Sequence, residues 1–325
     1  MRDRDARDRA RREETKSATL PAMPPSLVGF IVLFVAAALL RGCGLLSRTH
    51  AERLAAVVFS VSLPATILVS LDAIQFTPTA WKLPLAACLV TLPMLALGWQ
   101  FAHWLHLSRQ SRGGFLLGTG CINSIYFAYP VIFATLGEEG LAQAILFDLG
   151  QTTLTLTLLY GLAVWHGAAS THAGSPMRRF LAAPPLWALS TILLLKLVGL
   201  RLPDWLRDLL LPLHFTTTPL ASLVLGLSIS FSGQAKFGMG VLGMALRMGG
   251  GMLLGFAAAD LLRLAGVERA VVILVAGMPS AVTAVIFAAE ARLDEELVAS
   301  IVALSVVVGV ALLPWLPQLA TWLMR

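Results

Sequence analysis

The chain has 325 residues, of which 57% are hydrophobic and 13% charged, against roughly 45–50% and about 25% in a soluble domain. With a mean hydropathy of +0.80, that apolar excess is more than one core can bury, which excludes a water-soluble globule. The net charge of +6 sits on basic residues between apolar runs rather than in a stripe interleaved with aromatics, which excludes a nucleic-acid surface and fits the loops of a membrane protein.

Residues 1–24 open with MRDRDARDRARREETK, mix both signs of charge, and read as a solvated tail. Beyond them, a segment inside lipid must satisfy its own backbone, so the spans expected are helices of about 20 apolar residues. Stretches free of Asp, Glu, Lys, Arg and His run 17–40, 54–71, 83–102, 113–137, 149–165, 180–195, 215–235, 270–289 and 297–324. A tenth lies at 237–262, interrupted by Arg247, whose side chain is expected to snorkel or to pair with a carboxylate. Ten-residue alternating segments are absent, so a barrel does not fit. The fold class is an all-α polytopic membrane protein of about ten transmembrane helices.

An internal repeat divides the chain. Val131-Ile132-Phe133-Ala134 returns as Val285-Ile286-Phe287-Ala288 at an offset of 154, each copy followed by an acidic turn, and Pro64 and Pro219 agree within one residue. The units expected are 25–166 and 180–325, five helices each, joined by a central loop at 167–179. An odd number of crossings places the second unit upside down relative to the first, an inverted repeat.

Proline inside a spanning helix removes a hydrogen bond and clashes with the preceding turn. It is tolerated where protein or a wet cavity satisfies the freed groups. The fourth span carries Pro130 and the ninth Pro279, and paired interrupted helices in corresponding positions point to a transporter's binding site. Asn123, the only asparagine in the chain, lies seven residues before Pro130, followed by Ser124. It reads either as glue between helices or as lining of the break. Around Pro279 the run Gly277-Met278-Pro279-Ser280-Ala281-Val282-Thr283-Ala284 carries two hydroxyls, those of Ser280 and Thr283, which can bond their own helix or a substrate. In the fifth span Asp148 and Gln151 share a helical face. Asp148 is a candidate coupling carboxylate or an interfacial residue, because burial would raise its pKa toward neutrality. Gly249-Gly250-Gly251 and Gly255 read as close helix packing. Cys43, Cys88 and Cys121 have neither CxxC nor Cys/His spacing, and no metal site or cofactor is expected.

The segment Asn123 to Pro130, the following GEEGLAQAILFDLGQT, and GMPSAVTAVIFAAEARLDEELVASIVALS resemble the auxin efflux carrier family over about residues 25–323. That resemblance implies ten helices in two inverted five-helix repeats. Helices four and nine are then broken and cross at mid-membrane, with a carboxylate substrate near the crossing. It assigns the fourth-helix roles to Asn123 and Pro130 and the ninth-helix role to Pro279, and makes Gln151 similar to a ligand-side residue. Thr283 falls where bacterial members often carry a small polar residue, and Ala284 where the plant carriers have a second proline, a departure from the plant pattern.

The function expected is a secondary transporter, a permease moving a small organic anion such as a mono- or dicarboxylate or an auxin-like acid by alternating access. The substrate-binding set is Asn123, Ser124, Pro130, Gln151, Pro279, Ser280 and Thr283, with Asp148 for coupling. No GxxxxGK[ST] motif is present, so a proton or sodium gradient, or uniport down the membrane potential, supplies the energy. A multi-pass protein of the cytoplasmic membrane is expected, its partners being lipid and the anion, and a homodimer is compatible with the sequence. A channel or a membrane sensor is the alternative. An intramembrane enzyme is disfavoured, because HExxH and GxSxG are absent.

Overall fold

The computed structural model describes residues 23–75, 78–167, 182–229 and 236–324. Of the tail at 1–24 and the central loop at 167–179, only residues 23–24 and Gly167 fall within these ranges. All regular elements among the described residues are helices: α1 (Pro25–Gly42), α2 (Arg48–Ala73), α3 (Lys82–Trp104), α4 (Arg109–Gly120), α5 (Ser124–His166), α6 (Pro184–Leu197), α7 (Asp204–Ser228), α8 (Phe237–Leu261), α9 (Gly266–Ala276), α10 (Thr283–Ala291) and α11 (Glu295–Leu323). Seven of them (α1, α2, α3, α5, α7, α8 and α11) are long and apolar enough to cross a bilayer. The apolar α6 is shorter, at 14 residues.

Local chemistry places the helix ends. Ser108 Oγ accepts the Ser111 N–H at the start of α4, and the Asp294 carboxylate accepts the Leu297 N–H at the start of α11. Gly137, at φ 68°, divides α5 into two arms with a backbone that side-chain-bearing residues rarely adopt. The expected span 215–235 is corrected. The helix there, α7, starts at Asp204 and ends at Ser228, because its first turns carry Asp204, Arg207 and Asp208. A search for charge-free windows cannot see a helix end that stands in water.

The expectation that Pro130 interrupts the fourth span is likewise corrected. Pro130 lies inside α5, directly after a widened π turn at Ser124–Ala128 in which the Tyr129 N–H bonds the Ser124 carbonyl five residues back. Val58–Ser62 does the same before Pro64 in α2, where the Leu63 N–H bonds the Val58 carbonyl. One extra residue per turn makes room for the ring, so the helix continues.

The helices pack in two groups. Helix α7 runs along α1 and α2, and α6 lies on α2. In the second group α3 packs on α4 and α5, α8 on α9 and α11, and α4 on α11. Close approach depends on small residues: a Cβ on Gly251 would lie 2.1 Å from the Ala276 carbonyl oxygen, and one on Gly255 3.0 Å from Ile273 Cα. Gly249, by contrast, faces open space. All eight tryptophans are exposed, and most stand at helix ends: Trp81 and Trp104 flank α3, Trp165 closes α5, and Trp187 and Trp205 open α6 and α7. Amphipathic rings concentrated at helix ends are the arrangement expected at the two lipid–water interfaces.

Candidate functional site

Two helices stop inside the second group. Helix α4 ends at Gly120, and the chain resumes as α5 at Ser124. Helix α9 ends at Ala276, and α10 begins at Thr283. The two gaps meet as a single antiparallel bridge between Ile122 and Ser280. The Asn123 N–H donates to the Pro279 carbonyl at 2.9 Å, and the Ala281 N–H donates to the Cys121 carbonyl at 3.1 Å. Each broken strand thus satisfies the other's backbone, which is what allows extended chain at this depth. Asn123 Nδ2 donates to the Ser280 carbonyl at 3.4 Å, and the Ser280 N–H donates to Ser305 Oγ of α11 at 3.0 Å.

A cavity of about 380 Å³ opens beside this bridge, at the seam between the two helix groups. One wall is apolar: Phe59, Leu63 and Ile67 of α2, with Pro185, Leu186 and Leu189 of α6. The other wall holds the polar groups Asn123, Ser124, Asp148, Gln151, Thr152 and Thr283. The Asp148 carboxylate accepts from Tyr129 OH at 3.1 Å and from Thr152 Oγ1 at 3.2 Å. Gln151 is buried; its Nε2 donates to the Gly120 carbonyl and to Thr155 Oγ1, both at 3.2 Å, and its Oε1 accepts from Thr91 Oγ1. Its amide therefore ties α3 and α5 to the last residue of α4.

Asn123, Ser124, Gln151, Asp148 and Thr283 are brought together around one space. Pro130, Pro279 and Ser280 are not among the residues that line it. Pro279 lies in the gap with its ring beside Gly309 of α11. Ser280 is fully buried at the bridge, and Pro130 lies one turn into α5.

Tyr129, Thr152, Thr155 and Ser305 escape a search for motifs. Thr152 follows Asp148 by four residues and is legible as a same-face partner. Ser305 reaches Ser280 across 25 residues of sequence and leaves no local signal. Arg247 corrects an expectation: it is fully buried, neither snorkels nor meets a carboxylate among the described residues, and donates from Nη1 to the Thr119 carbonyl at 2.9 Å and from Nη2 to the Ala276 carbonyl. No cluster of three or more metal-ligating side chains occurs among the described residues.

A multi-pass helical membrane protein with an internal cavity at the meeting of two interrupted helices is the class these features define. The chain belongs to the membrane transport protein family, whose model matches residues 23–316, the auxin efflux carrier family that its motifs resemble. It is 28% identical over 293 residues to an uncharacterized transporter of Methanothermobacter thermautotrophicus, covering 89% of this chain and 95% of that one. An uncharacterized transporter of Methanocaldococcus jannaschii is also 28% identical, over 270 residues, covering 79% and 85%.

Proposed function

We propose that this membrane transport protein is a secondary carrier for a small organic anion, a mono- or dicarboxylate or an auxin-like acid. It would work in the cytoplasmic membrane by alternating access, with about ten crossings in two inverted five-helix repeats. The observation that carries the proposal is the polarity of the two broken helices. Ser124 and Ile125, which open α5, and Thr283, which opens α10, with Val282 just before it, border the cavity. A helix N-terminus presents about +0.5 of a charge and unpaired N–H groups, a natural seat for a carboxylate. Asn123 and Thr283 add neutral donors, the apolar wall suits a hydrocarbon body, and the volume lies in the range of small-molecule sites.

The inverted repeat is supported by a contact between equivalent positions of the two units: Ser62 and Thr216, 154 residues apart, pair hydroxyl to hydroxyl at 2.9 Å between α2 and α7, at the offset of the sequence repeat.

Outward movement of a monoanion is favoured by about 2.3 kcal/mol per 100 mV of inside-negative potential, so export needs no second ion. In this reading Asp148, which lines the cavity, is the coupling carboxylate. The test is uptake of labelled malonate, malate or indole acetate into vesicles by wild type, Asn123→Ala and Pro279→Ala. Saturable wild-type flux that falls in both variants is expected. Equal flux in all three overturns the site, and non-saturating flux at channel rates overturns the carrier.

A further inference from the structure

The buried guanidinium of Arg247 is left without a part in the mechanism above. An isolated charge in a protein interior costs several kcal/mol unless it is compensated, and here no carboxylate among the described residues compensates it. Its partners are two backbone carbonyls of a particular kind. Thr119 is the penultimate residue of α4, and Ala276 is the last residue of α9. Helices of 12 and 11 residues end there with unsatisfied carbonyls, each terminus carrying about −0.5 of a charge. Two such ends sum to about −1, which one guanidinium cancels.

The surroundings are shaped to admit that side chain. Arg247 lies in a widened turn of α8, Leu246–Gly250. The next residue is Gly251, where a Cβ would stand 2.2 Å from Arg247 Nη2 and 2.1 Å from the Ala276 oxygen. Any larger residue at 251 would expel either the guanidinium or the carbonyl it holds.

We infer that Arg247 is a positioning residue, a built-in counter-cation that clamps the carbonyl ends of α4 and α9 and so leaves the N-terminal ends of α5 and α10 electrostatically unopposed on the cavity side. Its effect on substrate is indirect. The clamp itself stands on the geometry alone, whereas its effect on anion affinity rests on the function proposed above.

The experiment uses the full chain in nanodiscs and two readouts. In the first, amide hydrogen exchange is compared for wild type, Arg247→Ala, Arg247→Lys, and Arg247→Ala with methylguanidinium. Amides of 121–124, 276–278, 280 and 281 are expected to exchange about tenfold or more faster in Arg247→Ala, while α1 and α7 keep their rates. Methylguanidinium is expected to restore the slow exchange. Unchanged exchange at the two gaps, acceleration spread evenly into α1 and α7, or failure of methylguanidinium to restore protection overturns the clamp. Should Arg247→Ala not assemble, Arg247→Lys decides: its single ammonium can hold one carbonyl, so one gap is expected to accelerate, and wild-type exchange at both overturns the clamp.

The second readout is malonate transport. Arg247→Ala is expected to raise KM about tenfold with kcat nearly kept, and Arg247→Lys to recover most of that loss. An unchanged KM overturns the electrostatic role. A wild type inert toward malonate, malate and indole acetate counts against the anion reading alone, since the exchange data still judge the clamp.

Discussion

Ser305→Ala isolates one hydrogen bond at the crossing. Ser305 is fully buried on α11; its Oγ accepts the Ser280 N–H at 3.0 Å and donates to the Val302 carbonyl of its own helix at 2.9 Å. Removing the hydroxyl leaves Val302 within its helix but strips the Ser280 amide of the acceptor it uses. Ser280 is itself fully buried, so water cannot replace it without opening the crossing. An unmade bond at such a donor costs about 1–3 kcal/mol. At roughly 2 °C per kcal/mol for a chain of this size, the apparent Tm should fall by about 2–6 °C. Intrinsic fluorescence during heating in detergent measures it. Ser228→Ala is the control, because among the described residues Ser228 Oγ bonds only the Val224 carbonyl one turn back in its own helix, and its loss should stay within about 0.5 kcal/mol. If the two variants melt together, the reasoning that Ser305 satisfies a stranded amide at the break is wrong.

Gln151→Leu keeps the bulk of the side chain but removes its bonds to Gly120, Thr155 and Thr91. It should cost about 2–4 kcal/mol and abolish saturable uptake, read by thermal unfolding and by vesicle flux. Gly150→Ala places a methyl 2.3 Å from the Pro84 carbonyl oxygen. It should force α5 from α3 at a cost of about 1–3 kcal/mol, and an unchanged melting curve would contradict that contact. Asp294 gives a pH dependence. Burial pushes its pKa up, but the hydrogen bonds from Lys236, Ser111 and the Leu297 N–H, with the Lys236 charge, outweigh burial and hold it below the ordinary value. A depressed carboxylate stabilises the fold above its unfolded pKa of about 4 and loses that contribution as pH falls through the folded pKa. Acid titration should therefore show wild type losing stability below about pH 4, with Asp294→Asn less stable at neutral pH and flatter through that range.

Much of this molecule is legible without coordinates, for a physical reason. Lipid imposes one demand, a helix of sufficient apolar length, and that demand is written locally in windows such as 83–102 and 297–324, which return as α3 and α11. Asn123 stands out for a related reason: a lone carboxamide among apolar residues must have a partner, and it has Ser280. The acidic turns were equally readable, because Asp294 caps a helix with its nearest neighbours.

Proline misleads where it is read alone. Pro130 looks like a break, yet a single widened turn absorbs it, and the true gap at 121–123 carries no proline at all. Chain direction there is decided by the other strand, through Pro279 and Ala281, whose carbonyl and N–H lie more than 150 residues away in sequence. The same holds for Arg247. Sequence reading can register a charge in an apolar run, and its ordinary remedies are a carboxylate or the lipid interface. Only the folded chain supplies the remedy found here, because helix ends become charge partners when two of them converge, and convergence belongs to the packing and to no single segment. Local composition thus determined which stretches enter the bilayer, and tertiary contact decided where they stop and what their free ends face.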